Sequence, residues 1–213
     1  MKKIIYTSSL LFIVFLAFSF FIFNTNKVAT LNKTDYLNWV ENEGHNLKLT
    51  QSEGDLVYEV IYCPTSYIIA KEFHTNEIKK ENFTRREKEL KGMEYFRLKI
   101  RKKNSQGEVL SYNLEGGQQG YYQRVDYLSY GMDENISLLR NNMNDTIKPT
   151  LFHFERIYGI SPDIDFLISF VEDTLSQDNH EVFLLDDKIL GGNVIRFDFK
   201  KDLIKKSPKL LVK

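Results

Sequence analysis

The sequence predicts an α+β fold of mainly antiparallel strands with a few helices, preceded by an N-terminal transmembrane or signal helix. Three observations predict it. A charge-free apolar segment, Ile4 to Phe23, opens the chain; later segments alternate apolar and polar residues with the period of two of a half-buried strand; and few stretches carry helical spacing.

The opening segment has Thr7, Ser8, Ser9 and Ser19 as its only polar residues. At 1.5 Å per residue, about 20 helical residues reach about 30 Å, the thickness of a bilayer core. Lys2 and Lys3 supply a positive flank, which places the rest of the chain on the extracytoplasmic side. Lys27 and Lys33 weaken that asymmetry, and Asp35, Glu41 and Glu43 come soon after. A retained anchor is favoured over a cleaved signal. The small-x-small site Ala17-Phe18-Ser19 would leave a Phe-Phe-Ile-Phe start, and the site near Ala29 has Lys27 close by. Cleavage would make the protein secreted.

Residues 1–23 are thus read as signal-anchor or signal peptide, 24–33 as a polar tether, and 34–213 as one extracytoplasmic α+β domain. In the domain, Thr34 is placed as the cap of a short helix through Tyr36, Leu37, Trp39 and Val40, with Gly44 as its stop. Leu47–Gln51 and Leu56–Tyr62 flank Ser52–Asp55 as a hairpin, with Leu56, Tyr58, Val60 and Tyr62 on one face; Pro64 then breaks the strand. Asn76–Leu90 is charge-rich and helix-favouring. Met93–Arg101 alternates Phe96, Leu98 and Ile100 against Arg97, Lys99 and Arg101, and Val109–Leu114 is expected to return as its partner after a turn. Beyond Gly116, Gly117 and Gly120, the segment Tyr121–Tyr130 reads as a helix. Ile136–Leu139, Thr150–Arg156, Val182–Leu185 and Val194–Phe199 read as strands, the last two enclosing a turn at Gly191-Gly192-Asn193. Ser161–Leu175 fits either helix or strand, and its β-branched and aromatic content tips it to strand.

Composition narrows the function. The 29 basic and 29 acidic side chains balance, and with Lys2 and Lys3 set aside the domain leans acidic, so the lysine and arginine excess of a nucleic-acid binder is absent. The lone cysteine, Cys63, has no partner for an intramolecular disulfide. His180-Glu181 opens like a zinc-protease helix, but position 184 is leucine, and Asp163 and Asp165 lack the spacing of a calcium loop. No phosphate loop or nucleophile elbow is present, and neither a cofactor nor a metal is expected.

Two groups remain. His153 and Glu155 share one face of their strand while Phe152 and Phe154 take the other, so the carboxylate can orient the imidazole; this is a candidate catalytic pair, read first as a structural hydrogen bond. Tyr121, Tyr122, Tyr127 and Tyr130 cluster behind a Gly-rich loop and are candidate ligand-binding residues, since tyrosine suits partner interfaces and stacking on sugar rings. The span from His153 through Phe154, Glu155, Arg156 and Ile157 to Pro162, together with Gly191-Gly192, resembles a segment of exported bacterial proteins of unknown function. That resemblance implies a shared domain and carries no activity. The expected function is a membrane-tethered interaction or accessory domain, held through Ile4–Phe23 and meeting a protein partner. A glycan or small-ligand binding domain using the tyrosines is the alternative, and a hydrolase around His153 and Glu155 comes third.

Overall fold

The computed structural model describes residues 28–104, 107–140, 144–155, 161–173 and 179–213. The opening apolar segment lies outside them, as do residues 156–160, half of the His153–Pro162 span that carries the resemblance. Among the described residues no helix is long and apolar enough to cross a membrane.

The architecture is mixed α+β, with two antiparallel sheets and few helices. One sheet has five strands in the order β2 (Lys48–Glu53), β3 (Leu56–Cys63), β4 (Met93–Lys102), β8 (Ile164–Val171), β7 (Leu151–Glu155). The other has four, in the order β10 (Val194–Lys200), β9 (His180–Asp186), β5 (Ile136–Arg140), β6 (Asp145–Ile147). Alternation decides which side chains meet between them. Leu56, Tyr58 and Val60 of β3, and Phe96, Leu98 and Ile100 of β4, join Phe183, Leu185, Phe197 and Phe199 in one core. Phe96 sits at its centre, with the rings of Tyr62, Phe170, Phe183 and Phe199 at 5.3–5.6 Å.

The opposite face of the five-stranded sheet carries a second core under a helical layer. Helices α1 (Lys33–Val40), α2 (Thr65–Glu72) and α3 (Lys80–Leu90) bury Tyr36, Val40, Tyr67, Ile69, Ala70 and Leu90 there, against Ile61, Cys63 and Tyr95. Strand β3 is therefore covered on both faces, which is why Val57, Glu59 and Ile61 are buried along with its alternating apolar set.

Several elements depart from the sequence expectation. Asn32, not Thr34, caps α1: its side chain accepts from the Asp35 N–H. Helix α1 also ends at Val40, before Gly44, which sits in a short turn of 3₁₀-helix. Pro64 starts α2 as well as ending β3, since proline presets the entry to a helix. Helix α3 begins at Lys80 rather than Asn76, because Ile78 and Lys80 exchange backbone hydrogen bonds with Lys213. Thr30–Leu31 (β1), within the segment expected as a polar linker, pairs in parallel with Lys209–Leu210 (β11). Val109–Leu114 forms no strand but a 3₁₀ turn at Val109–Ser111, and β4 takes β8 as its neighbour instead. The would-be ladder groups are occupied: the Val109 N–H donates to the Pro162 carbonyl, and the Arg124 side chain donates to the carbonyls of Leu110 and Tyr112. Ser161–Leu175 contains the strand β8 and no described helix.

Cys63 is fully enclosed by the helical layer, and burial pushes its thiol up to about 12. The folded protein should therefore resist a water-soluble thiol reagent at pH 8 and react with one equivalent only on unfolding. Rapid labelling without denaturant would contradict this packing. Cys63→Ser should lower stability by about 1 kcal/mol, since the hydroxyl inherits only a weak contact to the Ile61 carbonyl.

Candidate functional site

Helix α4 (Gly117–Tyr130) carries the tyrosines. Its entry depends on Gly120, where a Cβ would lie 1.9 Å from the Glu115 carbonyl oxygen. Its inner side is fixed by Val125 and Leu128 in the core and by the two carbonyl contacts of Arg124. Of the four sequence candidates, Tyr127 packs against the inter-sheet core and its hydroxyl accepts from the Asn135 amide. Tyr121 is half-buried, edge-on to Tyr122. Tyr122 and Tyr130 face out, 61% and 81% exposed. With spacings of four, Tyr122, Asp126 and Tyr130 form one stripe along the helix. They line a groove of about 430 Å³ together with Gln123, Val125 and Ser129. Two tyrosines on a helix anchored from behind make a preorganised contact surface of large rings and few rotatable bonds, with the Tyr122 hydroxyl accepting from the Gln118 amide and still able to donate.

His153 and Glu155 lie on the edge strand β7, on the same face, as alternation requires. The two form no hydrogen bond with each other among the described residues. His153 is exposed beside Leu167 of β8, while Phe152 and Phe154 stack on Phe166 from the opposite face. Glu155 stands opposite Asp165, whose carboxylate is taken by Arg97 at 2.9 Å; Asp163 is taken by Lys99 at the same distance. The pair thus stands on an edge strand, with His153 exposed and Glu155 half-buried. His180 and Glu181 occupy opposite faces of β9, with His180 beside Asp198 at the surface and Glu181 inward.

Glu181 belongs to a constellation that sequence reading missed. Arg140 of β5, 2% exposed at its side chain, donates from Nε to Glu181 at 2.7 Å, from Nη2 to Glu94 of β4 at 2.5 Å, and from Nη1 to the Val171 carbonyl of β8 at 2.9 Å. Lys201 reaches the same Glu181 oxygen at 2.6 Å, so the second oxygen is buried without a hydrogen-bond partner among the described residues. Two acids and two bases thus join the sheets at one end of the core. Glu94 also borders a cleft of about 430 Å³ with Tyr62, Thr65, Lys88, Lys91 and Glu172. The signal was present in the alternation. Glu94 continues the inward parity of Phe96 and Leu98, Arg140 that of Ile136 and Leu138, Glu181 that of Phe183 and Leu185, and Lys201 that of Phe197 and Phe199.

Burial, and then the neighbouring Glu181 carboxylate, push the Glu94 carboxyl up to about 7 despite Arg140. The folded-state value lies above the unfolded one, so the protein binds an extra proton on folding. The associated stability is complete below about pH 4.5 and is lost as pH rises through 7. Urea titrations at pH 5.5 and 7.5 should show wild type losing on the order of 2 kcal/mol more than Glu94→Gln across that interval. Equal losses would contradict this reading of the quartet.

Compared with protein-family models, with curated proteins and with solved structures, the chain matches none of them.

Proposed function

We propose that this chain is a membrane-tethered interaction domain on the extracytoplasmic side, meeting a protein partner through the outer face of α4. The observation that carries the reading is the pair of exposed rings, Tyr122 and Tyr130, on a helix whose other side is locked into the core. A tyrosine exposed on one side of a rigid helix offers apolar area and a hydrogen bond at low entropic cost, the composition found at partner interfaces. The apolar segment Ile4–Phe23 supports the tether. A second reading, glycan binding at the same face, is favoured by the polar side chains of Gln123, Asp126 and Ser129 that flank the rings.

Two experiments test the proposal. Membranes washed with alkaline carbonate should retain the protein; its release as a soluble species starting near Phe20 or Thr30 would replace the anchor by a cleaved signal. Tyr122→Ser/Tyr130→Ser should leave stability within about 0.5 kcal/mol of wild type, both side chains being exposed. The same variant should lose the partner recovered with wild type from detergent-solubilised membranes. Unchanged recovery would remove α4 from the interface, and binding of purified wild type to an oligosaccharide array, lost in the variant, would select the glycan reading.

A further inference from the structure

The chain enters the domain along strand β11. Thr30 pairs with Lys209 and Leu31 with Leu210, and Lys213 exchanges backbone hydrogen bonds with Ile78 and Lys80. Lys33 ties the same corner to the loop before α3 by donating to the carbonyls of Phe73 and Thr75. This corner gathers Lys33, Lys79, Lys80, Lys209 and Lys213, along with exposed Val28 and Leu211. Acids are fewer: Asp35 hydrogen-bonds Asn32, Glu77 pairs with Lys213, and Glu81 opens α3. Four residues lie between Phe23 and Val28, and the five steps reach less than about 18 Å even fully extended. A link that short keeps the entry corner beside the bilayer, and that corner is rich in lysine although the chain as a whole is neutral.

We propose that the β1–β11 corner is a lipid-contact surface, seated on the anionic headgroups of the membrane that holds the chain; this rests on the tether reading of Ile4–Phe23. Lysines attract an anionic surface within a Debye length, and the exposed Val28 and Leu211 suit the headgroup boundary. Seated in this way, the domain holds α4 and the sheets at a fixed posture above the membrane.

The test uses the full chain in vesicles of phosphatidylcholine alone or with roughly a third phosphatidylglycerol. A nitroxide is placed at Lys80→Cys or, as a control, at Asp55→Cys; Cys63 is buried and stays unlabelled. Asp55 lies beyond the far end of β3, about 25 Å from the Cys63 end at strand rise. On anionic vesicles the position-80 label should lose about twofold or more of its accessibility to a water-soluble paramagnetic reagent relative to neutral vesicles. The position-55 label should not change, and Lys79→Glu/Lys209→Glu should restore access at 80. Equal access at 80 on both lipids, with the protein still floating with the vesicles, overturns the lipid-contact surface and leaves the tether standing. A parallel loss at 55 overturns it too. Failure to float with either vesicle overturns the tether reading, and this inference with it.

Discussion

Arg140→Ala is expected to destabilise the protein by about 3–5 kcal/mol, among the largest losses available to a single substitution here. The reason lies in the groups left behind. Without the guanidinium, Glu94 and Glu181 are left buried near each other with Lys201 as their remaining ion-pair partner among the described residues, and the Val171 carbonyl loses the Arg140 donor. The stability of the intact quartet is a separate matter, since burying four charges is itself costly. The substitution should therefore be strongly non-additive: in a Glu181→Gln background, Arg140→Ala should cost markedly less than alone. Urea unfolding midpoints at constant m-value give the comparison. A loss below about 1 kcal/mol would mean that water replaces the arginine without strain.

Asp187→Ala is the second large effect, about 3 kcal/mol or more. Asp187 is buried in the loop between β9 and β10, where Oδ1 accepts from the N–H groups of Ile189 and Leu190 and Oδ2 accepts from Gly191 at 2.6 Å. The Tyr58 hydroxyl donates to Oδ2 at 2.5 Å, so one carboxylate holds a loop of the second sheet onto a central strand of the first. Burial and then the carboxylate raise the tyrosine well above its ordinary value, keeping it a donor at every pH where the protein folds. Gly191 is part of the same device: a Cβ there would lie 2.8 Å from the Tyr58 hydroxyl and 3.3 Å from the Asp187 carboxylate. Tyr58→Phe should cost less than Asp187→Ala, because the three backbone donors keep their acceptor. The reverse order in thermal melts would show that the sheet-to-sheet bond, not the loop, dominates.

How much of this was legible depends on where a residue's partners lie. Strands β4 and β10 could be read because each sets apolar residues on one parity against charged ones, and β3 and β9 because each is a short apolar-rich run beside turn residues. The 109–114 segment has the same alternation and misled, since its partners are the Arg124 guanidinium and Pro162, neither visible in a local pattern. Helix α2 was hidden because Tyr67–Ala70 is a short unbroken apolar run, which shows no helical period. The strands β1, β6 and β11 are too short to carry a pattern and exist only through pairing. Among the candidate site residues, the tyrosines were found by composition, but their division into one packed ring, one half-buried ring and two exposed rings needed the helix phase. His153 and Glu155 share a face by strand geometry alone, which is silent on whether anything assembles around them. The ionic quartet comes from four segments spread between positions 94 and 201, so pairing required the tertiary fold.

Site-specific photo-crosslinking in intact cells decides whether the outer face of α4 is a partner-binding surface. A photoreactive phenylalanine analogue at position 122 or 130 should give one discrete adduct with a protein partner, whereas the same group at Asp55 or His153 should give none. Adducts at Asp55 or His153 with none at 122 and 130 would place the partner on another surface and contradict the account.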